Sequence, residues 1–143
     1  MHFAAYSFRN RAELIKLLLE KGVDPLITTK NSSRTVLHCL LSNLRLRDYN
    51  DYDTIRLLLE KGCDLHAVDS EGNTLLHTLL NHLTPKKFPT LDDDEREYNE
   101  ISNILELLTK DGIMTAKRTD TGLLPVQVAV RRRVSGSQIW THV

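Results

Sequence analysis

The chain has 143 residues, 41% hydrophobic and 27% charged. That is the composition of one folded domain, and it excludes both a disordered chain and two domains of ordinary size. Lys plus Arg and Asp plus Glu stand at 19 each, so no net field draws the whole molecule to nucleic acid or to an anionic membrane, and any electrostatic preference is local.

In chain order, His2-Phe3-Ala4-Ala5 opens a short helix, and Leu14 to Asp24 (LIKLLLEKGVD) forms a second. There Leu14, Leu17 and Leu18 recur at helical spacing, and Gly22 follows the last turn, where a helix takes a left-handed cap. A polar stretch, Thr28 to Arg34, leads to Thr35-Val36-Leu37-His38. Thr35 is placed to cap a helix whose Leu37, Leu40 and Leu41 face the core. Ile55 to Asp64 (IRLLLEKGCD) repeats the leucine run and ends on Gly62. After Asp69-Ser70-Glu71-Gly72-Asn73 comes Thr74-Leu75-Leu76-His77, with Leu76, Leu79 and Leu80 directed inward. Two prolines and two lysines in 84–89, then Asp92-Asp93-Asp94-Glu95, interrupt the pattern before Ile104 to Ile113 (ILELLTKDGI), which ends on Gly112. Lys117 to Gly122 and Leu124-Pro125-Val126-Gln127-Val128-Ala129 begin a fourth copy.

Two alternating signatures therefore make one unit of two helices, and the chain repeats it. These signatures, Gly72-Asn73-Thr74-Leu75-Leu76-His77 best of all, resemble the ankyrin-repeat family, whose units carry G-x-T-P-L-H in the first helix and a leucine run ending in G-A-D after the second. The resemblance spans about residues 1–130. It implies an all-α solenoid of antiparallel helix pairs joined by β-turn hairpins, in units of about 1–29, 30–68 and 69–119 with a partial unit at 120–130. The tail, 131–143 with its Arg131-Arg132-Arg133, is expected to be poorly ordered and its charges simply solvated.

The family period is roughly 33 residues, whereas the histidine-position steps here are 36 (His2 to His38), 39 (His38 to His77) and 50 (His77 to Gln127). From glycine cap to the next histidine position the steps are 16 (Gly22 to His38), 15 (Gly62 to His77) and 15 (Gly112 to Gln127). Within a unit, from histidine position to cap, they are 20, 24 and 35 (His2 to Gly22, His38 to Gly62, His77 to Gly112). The length variation thus falls between the two helices, where a stacked array tolerates insertions. The Pro of the family motif is replaced by Val36 and Leu75, and bulkier residues follow His38 than the usual alanines. With the first unit starting inside its first helix and the fourth lacking a leucine run, the pattern reads as a fragment or shortened isoform of a longer protein.

His2, His38 and His77 lie a full unit apart without Cys or carboxylate companions at ligand spacing, which argues against a metal site. The resemblance implies that His38 and His77 are structural and hydrogen-bond near the turn. The acidic run lacks the alternating ligands and glycine of a calcium loop and reads as a solvated loop. No nucleophile elbow, phosphate-cradling glycine loop or catalytic triad pattern is present. No enzyme activity, cofactor or small-molecule substrate is therefore expected. Cys39 and Cys63 are too few for a disulfide framework and sit in apolar runs. The first ten residues lack a signal-peptide pattern, and no run approaches the roughly 20 apolar residues of a membrane span. The expected setting is cytoplasmic or nuclear.

By resemblance, a partner would bind the hairpin tips and the concave face of the first helices. Candidate contacts on the tips are Lys30, Arg34, Asp69, Glu71, Asn73, Lys117 and Arg118. On the first helices, Phe3, Tyr6, Ser42, Asn43, Thr78, Asn81 and His82 are not claimed by the core, and Tyr6, Asn43 and Asn81 are taken as contacts. Tip charge alternates in sign, which does not suit a phosphate track and favours another protein as partner. The structural set is Thr35, His38, Thr74, His77, Gly22, Gly62 and Gly112. The leading function is a protein-binding adaptor or scaffold. The alternatives are the substrate-recognition part of a ubiquitin ligase, because the expanded loops resemble those of poxvirus host-range ankyrin proteins although no F-box-like segment is visible, and a regulatory piece of a larger ankyrin protein.

Overall fold

A computed structural model describes residues 1–6, 10–44, 50–83, 95–110, 118–125 and 127. Among them the named elements are helices: α1 (His2–Ala5), α2 (Arg11–Glu20), α3 (Val36–Leu41), α4 (Asp51–Glu60), α5 (Leu75–Leu83) and α6 (Glu95–Thr109). The one extended pairing among the described residues is an isolated antiparallel bridge between Val68 and Thr74. The lysine- and proline-containing stretch 84–94, the segment holding Gly112 and Lys117, and the tail 131–143 lie outside the described residues.

Each unit pairs a first helix with a second, α1 with α2, α3 with α4 and α5 with α6. The first helices stack as one layer, α1 on α3 on α5, and the second helices as another, α2 on α4 on α6. This is the all-α helix-pair solenoid expected from the sequence. The core lies between the layers. Leu37, Leu40, Leu41, Leu75 and Leu79 reach it from the first helices, and Ile15, Ile55, Leu58, Ile104 and Leu108 from the second, all fully buried. Each such side chain contributes about 1.5–3 kcal/mol by leaving water.

The helices stop for a local reason. Gly22 and Gly62 hold φ of +77° and +92°. After α2, Gly22 N–H donates to Leu19 O and Val23 N–H to Leu18 O, both at 3.0 Å. After α4, Gly62 N–H donates to Leu59 O at 3.0 Å and Cys63 N–H to Leu58 O at 3.1 Å. These paired bonds satisfy carbonyls that the helix end would leave open, and they need a left-handed residue.

The helical leucine stripe of the first unit does not coincide with its buried face. Ile15 is buried and Leu18 half-buried, while Leu14 and Leu17 are 37% and 48% exposed. At the same positions of α4, Thr54 is buried and Leu57 half-buried. α4 packs between α2 and α6, whereas α2 packs on α4 and α1, so its outer flank keeps Leu14 and Leu17 in water. Leu80 is likewise half-buried. Thr78 is a further correction. It is buried, with its hydroxyl donating to Thr74 O at 3.2 Å, as a β-branched residue one turn into α5 can return its hydroxyl to the backbone.

A buried charge pair joins the first two units at the start of the second helices. Arg11 and Asp51 stand 3.3 Å apart with side chains 7% and 5% exposed. Arg11 Nη1 also donates to Ala5 O at 3.1 Å and to Asn43 O at 2.7 Å. At the next junction, the buried Glu100 accepts Tyr52 N–H at 2.7 Å through Oε1, placing a carboxylate at the first turn of α4, where a helix favours negative charge.

Candidate functional site

The site grows out of a four-residue arrangement at the start of each first helix. Thr35 is extended (φ −78°, ψ 167°) and caps α3 by accepting His38 N–H at 3.4 Å. The imidazole of His38 turns back, and its Nδ1 lies 2.9 Å from Thr35 Oγ1 and accepts Thr35 N–H at 3.3 Å. Its Nε2 lies 3.0 Å from Asn73 O, one unit further on. A carbonyl can only accept, so Nε2 carries the proton and Nδ1 is the acceptor.

Thr74 and His77 reproduce this, with His77 Nδ1 accepting Thr74 N–H at 3.2 Å and Nε2 donating to Leu123 O at 3.0 Å. His2 Nε2 meets Arg34 O at 3.1 Å. Gln127, at the fourth histidine position, keeps the local half of the arrangement by accepting Leu124 N–H at 2.9 Å. Burial, the largest influence, holds both His38 and His77 below the ordinary imidazole range, although the carbonyl bonds to Asn73 and Leu123 oppose it. The neutral ring is thus the form that fits both neighbours.

The carbonyls that accept from these histidines belong to the hairpin tips, and each tip is closed by the same pair of bonds. Thr29, Asp69 and Thr119 donate N–H to Arg34 O, Asn73 O and Leu123 O at 2.9, 3.0 and 2.9 Å. Their side-chain oxygens accept N–H of the same three residues at 3.0, 2.9 and 3.1 Å. Successive tips are also tied through the backbone, Ser70 N–H to Ser32 O at 2.9 Å and Asp120 N–H to Glu71 O at 3.0 Å. The first tip has one residue more than the second, which accounts for its cap-to-histidine step of 16 (Gly22 to His38) against 15 (Gly62 to His77).

Gly72, in the second tip, has φ +76°, and a Cβ there would stand 2.7 Å from Asp120 N. Only glycine allows both that backbone and so close a neighbouring tip. In the first tip Ser33 takes the same left-handed place at φ +50°.

Between the tips and the first helices runs a groove. A hollow of about 510 Å³ is lined by Arg34, Asp69, Glu71, Asn73 and Asn81, together with Ser32, Ser42, Ser70, His77, Thr78 and His82. A second, of about 420 Å³, shares Ser70, Glu71, Asn73 and Asn81 with it and continues to Thr119, Asp120, Thr121 and Leu123. Five of the contact candidates named from the sequence therefore meet here, namely Arg34, Asp69, Glu71, Asn73 and Asn81.

The others do not line it. Lys30 is exposed on the first tip, and Tyr6 is exposed at the end of α1. Asn43 is half-buried, its carbonyl engaged by Arg11. Arg118 is exposed on the third tip and donates to Gly122 O at 2.8 Å. Lys117 lies outside the described residues. Asp120 lines the groove although the sequence reading did not single it out, and its signal was its register with Ser70 one tip earlier. Among the described residues, no group of three or more His, Cys, Asp or Glu could hold a metal ion. Both thiols are free and buried, and burial pushes Cys63 up to about 11.

Comparison with known proteins agrees with this geometry. Residues 1–83 match the family model described as ankyrin repeats in three copies. A protein of fowlpox virus (strain NVSL) named for its ankyrin repeats is 34% identical over 73 residues, 49% of this chain and 16% of that protein. Another so named, from Acanthamoeba polyphaga mimivirus, is 42% identical over 40 residues, 28% of this chain and 6% of that one. The aligned stretches are thus a small fraction of the length of these curated relatives.

Proposed function

The chain belongs to the ankyrin-repeat family, whose repeats generally mediate protein–protein interaction and which is typically non-enzymatic, and from that premise we propose that it is an adaptor or scaffold module that holds a partner protein in the groove between its tips and first helices. The observation that carries the reading is the continuity of that groove. Two hollows from neighbouring tips share Ser70, Glu71, Asn73 and Asn81, so a single bound segment would touch several units at once. Backbone bonds between the tips hold these walls in place before binding, which lowers the ordering entropy a partner must overcome.

The groove is lined mainly by polar residues and offers hydroxyl, amide and charged groups, the chemistry of an interface rim and of backbone recognition. The same reading takes the chain to work in the cytoplasm or nucleus, as the two unpaired, buried thiols support. No helix among the described residues is long and apolar enough to cross a membrane.

The test is cross-linking mass spectrometry from cells, comparing wild type with the Glu71→Arg, Asn81→Arg double variant. Specific cross-links from groove residues to a partner should fall about tenfold or more, as when one interface hot spot is lost. Equal capture by both chains would remove the groove from the function.

A further inference from the structure

Resting on that reading of the groove, we infer that its occupant is an extended basic peptide segment, with an Arg or Lys side chain set against Glu71 and Asp120 and a backbone carbonyl or carboxylate set against Arg34. The charged residues lining the groove are one cation, Arg34, and three carboxylates, Asp69, Glu71 and Asp120. These carboxylates are not equivalent. Asp69 is used up by its own tip: Oδ1 accepts N–H of Glu71 and of Asn73 at 2.9 Å each, and Oδ2 accepts Asn73 Nδ2 at 3.1 Å.

Glu71 and Asp120 are exposed. Among the described residues the Glu71 carboxylate accepts one long bond, from Asn73 Nδ2 at 3.4 Å, and the ion pairs found there involve neither acid. The bond from Asp120 N–H to Glu71 O at 3.0 Å sets the two residues side by side on adjacent tips. Two carboxylates are thus presented together from a fixed backbone, which suits a guanidinium or ammonium group.

At the opposite end stands Arg34, which lines the first hollow and donates Nη2 to His38 O at 3.0 Å. A guanidinium at that end attracts a peptide carbonyl or carboxylate. Between the two ends, Ser70 and Asn81 offer hydroxyl and amide groups to a peptide backbone. Arg118 shares a tip with Asp120 but lines neither hollow. Nucleic acid is the wrong class, because phosphates would be driven against Glu71 and Asp120.

The experiment pans a phage-displayed library of random linear peptides against the full chain and against the Glu71→Gln, Asp120→Asn variant. Circular dichroism melting confirms that both are folded. Groove-competed peptides from the wild type should be enriched in Arg and Lys. Synthetic copies should bind the variant more weakly, by about twofold to fivefold per carboxylate removed, and more weakly still as salt is raised. Enrichment without a basic bias, or a basic bias retained on the variant, overturns the inference while leaving the groove as the binding face. A labelled oligothymidylate that binds and competes with the peptides overturns it as well. If no peptide is enriched at the groove, the inference and the proposed function fall together.

Discussion

The two edges of this solenoid are held together by different means. At the tip edge, every junction uses one pattern, a histidine Nε2 bonded to the carbonyl of the following tip, at 3.1, 3.0 and 3.0 Å for His2, His38 and His77. At the opposite edge, where the loops between paired helices enter, each junction has its own solution: the Arg11–Asp51 pair at the first and Glu100 on Tyr52 N–H at the second. The tip edge is periodic because its bonds end on backbone atoms, which every residue supplies. The loop edge is irregular because each contact depends on a particular charged side chain, Arg11 with Asp51 at one junction and Glu100 at the other.

The sharpest way to break this comparison is at the loop edge. Arg11→Ala removes the guanidinium that stands 3.3 Å from the buried Asp51 carboxylate and should destabilise the chain by about 3–5 kcal/mol, measured by chemical denaturation, whereas Arg11→Met with Asp51→Leu should recover most of the loss. An equal loss from the single and double variants would show that packing around Arg11, and not its charge, matters there.

The tip edge should show itself through pH. His38 and His77 are held below the ordinary imidazole value in the fold, chiefly by burial, so the unfolded chain binds more protons than the folded one just below about pH 6.5. The stability they contribute is complete above that value and is lost as pH falls below it toward their folded values. The slope is at most about 1.4 kcal/mol per pH unit for each histidine. Denaturation curves between pH 7.5 and 5.5 should show this slope reduced in the His38→Gln, His77→Gln variant, because Gln127 already fills the equivalent place without titrating. An unchanged slope would assign the pH dependence to other groups.

The smallest effect compares two tips directly. Gly72→Ala places a Cβ against Asp120 at a left-handed φ and should destabilise by roughly 2 kcal/mol, while Ser33→Gly, at φ +50°, should stabilise by about 0.5 kcal/mol. If both substitutions destabilise, the two tips are not equivalent.

The helix pairs could be read from the chain because both signatures recur and the leucine runs end on glycine. The extra tip residue was also visible, as the one-residue difference between the Gly22–His38 and Gly62–His77 steps. The exposure of Leu14 and Leu17 could not be read. Whether a leucine on a second helix is covered depends on which helices flank it, and that is a property of the stack. Convergence of Arg34, Glu71 and Asn81 on one groove likewise depends on tip register, which spacing alone does not supply.

The Arg11–Asp51 pair did leave a sequence signal that charge balance concealed. Arg11 stands four residues before the buried Ile15, and Asp51 four residues before the buried Ile55. That spacing puts each charge on the inward face of its helix.

The residues whose carbonyls receive the three histidines are Arg34, Asn73 and Leu123, a cation, an amide and a hydrocarbon. The histidine bonds end on the backbone of these three residues and so do not select their side chains. These three positions can therefore differ from tip to tip while the junction bond stays the same, which leaves them open to vary with whatever the protein must recognise.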